Sequence, residues 1–571
     1  MKFMKLGTRP DTFYTEEATR TVISDVPSDV TIRINNVTYL LHKLQFPLLP
    51  KCGLLQRLYT ESEDSISGHV TLDLTDIPGG DEAFELCAKF CYGITINLSA
   101  HNLVSAFCAA KFLRMTEAVE NGNFIVKLEA FFSSCILESW KDPILTLQNS
   151  ERVYEWSENL GIVRRCIESI VDKILTPPTK VTWSYTYTRP GYEKKRNQSV
   201  PKDWWTEDIS FLNIDMFRCI VAAIKSTNTL PPQLIGEALH VYACRWLPEI
   251  TEHNRPNSEA STSKTEYSPD RQRNILETVV GLIPSDYKGS VSIKFLLRLL
   301  STANFLAVST VTKTELLRLS GLQLEEAALN DLLIPSQNSV YDIDLVQTVL
   351  DSFLRQWKRQ AAATSSDGIL KIGKLVDSYL QVAAKAADMP VKKLASLAET
   401  LPRIARPIHD DLYMAVNTYL KEHPDLSKAD KKQLCRVLDC QKLSPQVRGH
   451  AVRNERLPLR TVVQVLFFEQ EKVNSATDIE RDQLNRNNLR KIKSSGDEKS
   501  LKARGNRAST PGTSGVQDNL RTSDDKMELR QEPSFKIRQV TEPETEKAGF
   551  GVKLNSHEKA QMRRIYERTY R

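Results

Sequence analysis

A chain of 571 residues, 41% of them hydrophobic, can bury more than one core, which excludes a single small domain and a wholly unstructured chain. Length alone suggests roughly three or four domains. The formal charge is +6 at neutral pH, and the residues after Lys472 hold 21 basic against 15 acidic side chains, so the tail carries the whole excess and the preceding body is near neutral.

No run approaches the roughly 18 apolar residues of a spanning helix, and Met1-Lys2-Phe3-Met4-Lys5 lacks the apolar stretch of a signal peptide. Any membrane association is therefore expected to be peripheral. Ten cysteines are too sparse for a disulfide scaffold, and several sit inside apolar patterns where a reduced thiol behaves as a small hydrophobe. A cytosolic setting is expected. Cys87 with Cys91, and Cys435 with Cys440, lack the second cysteine pair or histidine pair that zinc requires. They read as core or surface thiols rather than metal ligands.

In chain order, residues 1–26 read as a lead-in arm. From Asp29, Val30, Ile32 and Ile34 alternate with polar residues, Asn35-Asn36 supplies a turn, and Val37, Tyr39 and Leu41 resume the alternation. That pattern predicts a β-hairpin. His42-Lys43 leads toward a helix, Val70 to Leu74 reads as a strand, and Phe84, Cys87, Phe90 and Cys91 recur at helical spacing after Ile77-Pro78-Gly79-Gly80. Leu103, Phe107, Ala110 and Leu113 predict another helix. Residues 121–176 continue as a helical extension with Phe124, Leu128, Phe131 and Phe132 on one stripe, Pro177-Pro178 stops it, and residues 177–201 read as a linker.

From Trp204-Trp205 the pattern is almost wholly helical. Ile343, Val346, Leu350, Phe353 and Trp357 mark one amphipathic helix, and Ile372, Leu375, Val376, Tyr379, Leu380 and Ala383 mark another. Polar breaks fall at His253 to Arg273 and Ala362 to Gly368. Ser427 three residues before Asp430 predicts a helix cap, and Ser444-Pro445 and Leu457-Pro458 place proline at helix starts. The expectation is an α-helical array of stacked pairs over residues 202–472. Residues 473–571, rich in Ser, Thr, Asn, Lys, Glu and Arg, bury too little to offset chain entropy and are expected to be disordered.

Two blocks carry a family resemblance. Asp29-Val30, Leu41-His42-Lys43, Phe84-Glu85 and Phe90-Cys91-Tyr92-Gly93 resemble, in order and separation, a BTB/POZ domain over residues 27–120. Where many such domains carry Ser-x-x-Phe, this chain has Cys52-Gly53-Leu54-Leu55. Asp411-Leu412-Tyr413, His423-Pro424-Asp425-Leu426-Ser427, Leu434-Cys435-Arg436, Asp439 through Ser444 and Asn454 through Arg460 closely resemble the end of the signature domain of the plant non-phototropic-hypocotyl/root-phototropism (NPH3-domain) family. Within it the chain looks most like the naked-pins-in-yuc subgroup, also described as macchi-bou or enhancer-of-pinoid proteins. The expected architecture is thus an α+β BTB/POZ domain, a large all-α NPH3-type domain and a disordered basic tail.

The resemblance implies a non-enzymatic adaptor, and the residues agree: no Gly-rich phosphate loop, H-E-x-x-H or G-x-S-x-G stands in a strand-to-helix setting. No cofactor is expected. Two mechanisms follow from the resemblance. In one the BTB domain docks cullin-3 as substrate-specific adaptor of a ubiquitin ligase, through a surface around Leu54, Leu55, Phe84 and Glu85. In the other it serves for homo- or hetero-oligomerisation in a scaffold that joins an AGC-type kinase to PIN auxin exporters at the plasma membrane and endosomes, in auxin-mediated organogenesis and gravitropism. Asp29, His42 and Lys43 read as dimer-interface residues or as an ordinary strand end and helix start.

Tyr413 shares a helix with Leu412, Val416, Tyr419 and Leu420, so it reads as a core tyrosine, while the family resemblance makes it a candidate phosphotyrosine. Ser199 follows Lys194-Lys195-Arg196 as a basophilic kinase prefers, and Ser509 follows Arg507 and precedes Pro511. Both read equally as solvated linker. Arg490, Lys491, Lys493 and Lys502 form a basic patch without interleaved aromatics, which fits an anionic membrane surface better than nucleic acid.

Overall fold

The computed structural model describes residues 2–43, 48–61, 69–189, 199–248, 268–336, 340–360 and 367–470. The stretch expected as a lead-in arm forms three strands instead: β1 (Phe3–Leu6), β2 (Phe13–Glu16) and β3 (Thr19–Val22). The expected hairpin follows as β4 (Val30–Ile34) and β5 (Val37–Leu41), with Val30 opposite Leu41 and Ile34 opposite Val37. Asn35 takes the turn at a φ of 53°, a left-handed conformation its short polar side chain tolerates. With β6 (Val70–Asp73) the sheet order is β2-β3-β5-β4-β6, and β7 (Ile96–Ser99) pairs antiparallel with β1 in a separate ribbon. The arm's strands escape sequence reading because β3 lies parallel to β5, Thr19 opposite Thr38, a non-local pairing, and because the local β2-β3 turn at Glu17-Ala18 holds no Gly, Asn or Pro.

Helices α1 (Leu48–Lys51), α2 (Gly53–Glu61), α3 (Gly80–Cys91) and α4 (Leu103–Phe112) cover this sheet. Gly79, just before α3, has a φ of 86°, and a Cβ there would come within 2.8 Å of the side chains of Ala83 and Ser105, so the close approach of α3 to α4 needs glycine. Helix α4 is mostly apolar because most of its surface is enclosed: Val104, Ala106, Cys108, Ala109 and Ala110 are all fully buried, and Ser105 and Lys111 lie on its partly exposed side.

The chain continues through α5 (Phe124–Phe131), α6 (Lys141–Ser150), α7 (Tyr154–Asn159) and α8 (Ile162–Ile174). Phe124, Leu128, Phe131 and Phe132 are buried as their spacing predicts. Residues 181–189, expected as linker, pack onto the body. Trp183 and Tyr185 each lie 5.6 Å from the Trp204 ring, and the amides of Thr186 and Thr188 donate to the carboxylates of Asp208 and Glu207. Their aromatic rings, polar as the surrounding composition is, supply the apolar area that holds the segment down.

The remaining described helices are α9 (Thr206–Ile209), α10 (Ile214–Thr227), α11 (Pro232–Trp246), α12 (Pro269–Leu282), α13 (Ile293–Phe305), α14 (Thr310–Gln323), α15 (Leu329–Leu332), α16 (Ile343–Gln360), α17 (Asp367–Ala383), α18 (Val391–Thr400), α19 (Asp410–Glu422), α20 (Lys428–Cys435), α21 (Pro445–Val452) and α22 (residues 459–470). They stack in two rows. Helices α8, α10, α12, α14, α16, α18 and α20 each pack on the next, while α13, α15, α17 and α19 form a second row against them. This is the geometry of a helical solenoid, in which each apolar stripe is covered by its neighbours. One buried cluster runs from the sheet into the array. Ser427 caps α20 by accepting from the Asp430 amide, and Ser444 caps α21 by accepting from the Val447 amide. The polar break expected at His253 to Arg273 is shorter in the structure, since Ser268 caps α12 and Pro269 opens it.

Candidate functional site

The predicted interaction residues of the N-terminal unit divide into an interior set and a surface set. Asp29 accepts from the Lys43 amide at 2.8 Å and its own amide donates to the Leu41 carbonyl at 3.1 Å, which closes the open end of the hairpin. His42, 3% exposed, is held on both ring nitrogens: Nε2 is 2.8 Å from the Val26 carbonyl and Nδ1 is 3.1 Å from the Tyr92 hydroxyl. A carbonyl only accepts, so Nε2 carries a proton, and the Tyr92 oxygen beside Nδ1 accepts from the His42 amide. Lys43 donates to the Tyr59 hydroxyl at 2.8 Å and lies over its ring. These three residues tie β5 to α2 and to the end of α3.

Leu55 and Phe84 are fully buried, so the surface expected around them does not present them. Phe84 packs edge-on against Tyr39 at 4.8 Å, and the Tyr39 hydroxyl donates to the Asp81 carbonyl. Their burial follows from helical spacing: Leu55 on α2 and Phe84 on α3 stand on the buried faces of their helices. Leu54 is half-buried, with Gln56 and Arg57 exposed beside it. In the Cys52-Gly53-Leu54-Leu55 departure, the Cys52 thiol sits 3.8 Å from that of Cys91, both in the core. This contact and then burial push the Cys52 thiol well above the ordinary range.

Glu85 is half-exposed and already engaged, 2.8 Å from Lys89 and 3.8 Å from Arg20, while Lys89 reaches Asp11 at 2.6 Å. Asp11, Arg20 and Lys89 were not singled out from sequence, because two of them lie in the stretch read as an arm. The same N-terminal strands leave apolar side chains in solvent: Phe3 is 75%, Tyr14 51% and Ile23 70% exposed. On the β2-β3 ribbon Tyr14 pairs with Thr21, and Ile23 follows two residues on, so Tyr14 and Ile23 share its outer face.

Tyr413 is 1% exposed on α19. Its hydroxyl is 2.7 Å from Nδ1 of His450 and accepts from the Asn454 amide group at 3.1 Å, and Asn454 also donates to Asn417. Burial raises the phenol, with Asn454 opposing. The core reading of Tyr413 is the one its surroundings match; a kinase reaches the hydroxyl only after α19 and α21 part. Ser199 is exposed just before Pro201 and the acidic turn at Asp203. Its preceding basic run, Ser509 and the patch Arg490, Lys491, Lys493 and Lys502 lie outside the described residues.

Among the described residues no group of three or more His, Cys, Asp or Glu side chains is placed to hold a metal ion, and no helix is long and apolar enough to cross a membrane.

Comparison with known proteins agrees with this architecture. The NPH3 family profile matches residues 203–447, from the start of the helical array to α21. The chain is 61% identical over 482 residues to a BTB/POZ domain-containing protein of Arabidopsis thaliana, covering 82% of this chain and 85% of that protein. It is 41% identical to Phototropic-responsive NPH3 family protein NPY1 of the same plant, over 83% of this chain and 82% of that protein. To Phototropic-responsive NPH3 family protein NPY2 it is 39% identical, over 87% and 81%. With an α/β sheet unit leading into a helical array, and with relatives matched along most of both chains, the protein belongs to the NPH3 family of BTB/POZ proteins.

Proposed function

We propose that this BTB adaptor is the substrate-specific adaptor of a cullin-3 ubiquitin ligase, acting in auxin-mediated organogenesis and gravitropism. The observation that supports a docking role is the exposed apolar set Phe3, Tyr14 and Ile23 on a unit whose own core is closed. In this reading the outer face of α2, with Leu54, Gln56 and Arg57, meets the cullin, and the N-terminal ribbon mediates self-association. The buried Phe84 and Leu55 support that face from behind and are unsuitable as probes, since truncating them opens the core.

The test is binding of the purified chain to the N-terminal region of cullin-3, with light scattering to report assembly. Leu54→Glu with Arg57→Glu should abolish micromolar binding and leave assembly intact; Tyr14→Ser with Ile23→Ser should do the reverse. A folded chain that self-associates and never binds cullin-3 would sink the ligase reading.

A second reading is favoured by the charge distribution, which gathers the entire basic excess after Lys472. In it the chain is a scaffold at an anionic membrane, the plasma membrane or an endosome, holding an AGC-type kinase beside PIN exporters. Each well-placed Lys or Arg contributes about 1 kcal/mol near such a surface. Changing Arg490, Lys491, Lys493 and Lys502 to Gln should release the chain from phosphatidylserine vesicles in a flotation assay, and unchanged flotation would remove this reading.

A further inference from the structure

The ten cysteines occupy unlike surroundings. Seven are buried and two half-buried, and Cys244, near the end of α11, is the exposed one. It is also surrounded by charge. Nη1 of Arg298, from α13, donates to the Cys244 sulfur at 2.9 Å. One turn earlier on α11, on the same helical face, stands His240, with Nδ1 3.6 Å from Glu237. The Phe295 ring, 5.0 Å from the imidazole and edge-on to it, fixes its orientation from α13. Glu237 in turn forms an ion pair with Arg189, 2.8 Å away. A nucleophilic sulfur, an imidazole beside a carboxylate and a guanidinium thus meet where α11 faces α13, with solvent access.

We propose that Cys244 is a peroxide-sensitive modification site, activated by Arg298 and His240 and converted by hydrogen peroxide to a sulfenic acid that a small thiol then caps. Two cationic neighbours favour the thiolate, the form that reacts. Partial burial opposes them, yet the contacts with His240 and Arg298 prevail and bring the thiol below its ordinary range. His240 is held up to about 9 by Cys244 and then Glu237, so it is protonated at neutral pH. Cys87, Cys108 and Cys166 are pushed the other way by burial.

In the first step the thiolate attacks one peroxide oxygen, forming the S–O bond as the O–O bond breaks. Sulfur loses two electrons and the peroxide gains them. The departing hydroxide takes the proton of His240 and leaves as water. A thiol of the glutathione class then displaces the sulfenic hydroxyl, giving a mixed disulfide and a second water. Neither step uses a cofactor.

The experiment uses the full chain. Iodoacetamide labelling at pH 7, mapped by mass spectrometry, should modify Cys244 about tenfold or more faster than the half-buried Cys135, and Arg298→Gln with His240→Gln should erase about that factor. Brief peroxide followed by dimedone should place the adduct on Cys244, and Cys244→Ser should remove it. Should the double variant fold poorly, the dimedone map of the unaltered chain still decides. An adduct on other cysteines only, no adduct, or a Cys244 labelling rate equal to that of the urea-unfolded chain would overturn the assignment.

Discussion

Asp377→Ala should cost the helical array about 3 to 5 kcal/mol, read as a lowered urea midpoint with an unchanged slope. Asp377 on α17 and Arg406, just past the turn Arg403–Ala405, are 3% and 5% exposed. Nε of Arg406 donates to the Asp377 carboxylate at 2.8 Å, and Nη2 lies 2.7 Å from the same oxygen without hydrogen-bond alignment. Nη1 donates to the Ala398 carbonyl on α18, so one guanidinium joins three segments of the array. Burial raises the Asp377 carboxyl in spite of Arg406, which shows how much desolvation weighs at this position. Removing the acid strands a buried cation. The double change Asp377→Leu with Arg406→Met should therefore recover most of the loss, because a matched apolar pair of similar volume carries no desolvation cost. If the double variant lost as much as the single one, the arginine would matter for its hydrogen bond to Ala398 rather than for charge pairing.

Legibility from sequence followed the range of the interactions involved. The β4-β5 hairpin was readable because alternation and Asn35-Asn36 lie within a dozen residues of each other, and the caps at Ser427 and Ser444 because each acts on an amide three residues away. Strands β1 to β3 were not: β1 pairs with the distant β7 and β3 with β5, and the local β2-β3 pair turns at Glu17-Ala18, which carries no Gly, Asn or Pro to mark a turn. The same limit applied to the candidate site. The BTB/POZ resemblance pointed to a surface around Phe84 and Leu55, but a hydrophobic residue on an amphipathic helix is more often core than interface, and both are core. Cys244 carried the opposite lesson. Its Glu237-x-x-His240-x-x-x-Cys244 spacing on one helical face was visible, while Arg298, which completes the cluster, comes from another helix.

The array should also lose stability in mild acid through His409, which sits 8% exposed at the start of α19. Its amide donates to the Lys442 carbonyl at 3.0 Å, and its Nδ1 accepts from the Asp439 amide at 3.1 Å, a bond that exists only while that nitrogen is unprotonated. Burial first, then the Lys442 and Arg406 cations, lowers the imidazole to about 4, with Asp439 and Asp410 opposing. An unfolded histidine titrates near 6.5. Between those values the unfolded chain binds the proton that the folded chain refuses, so stability from this group is fully present above about pH 6.5 and falls as the pH drops toward 4. The difference corresponds to roughly 3 kcal/mol. Urea midpoints taken across pH 7.5 to 4.5 for the unaltered chain and for His409→Asn, which keeps an acceptor near the Nδ1 position, should diverge in that window: the histidine chain should lose stability steeply and the asparagine chain should not. Parallel curves would mean that the acid sensitivity of the array lies in its carboxylates, and that the Asp439 to His409 contact opens without cost when the ring is charged.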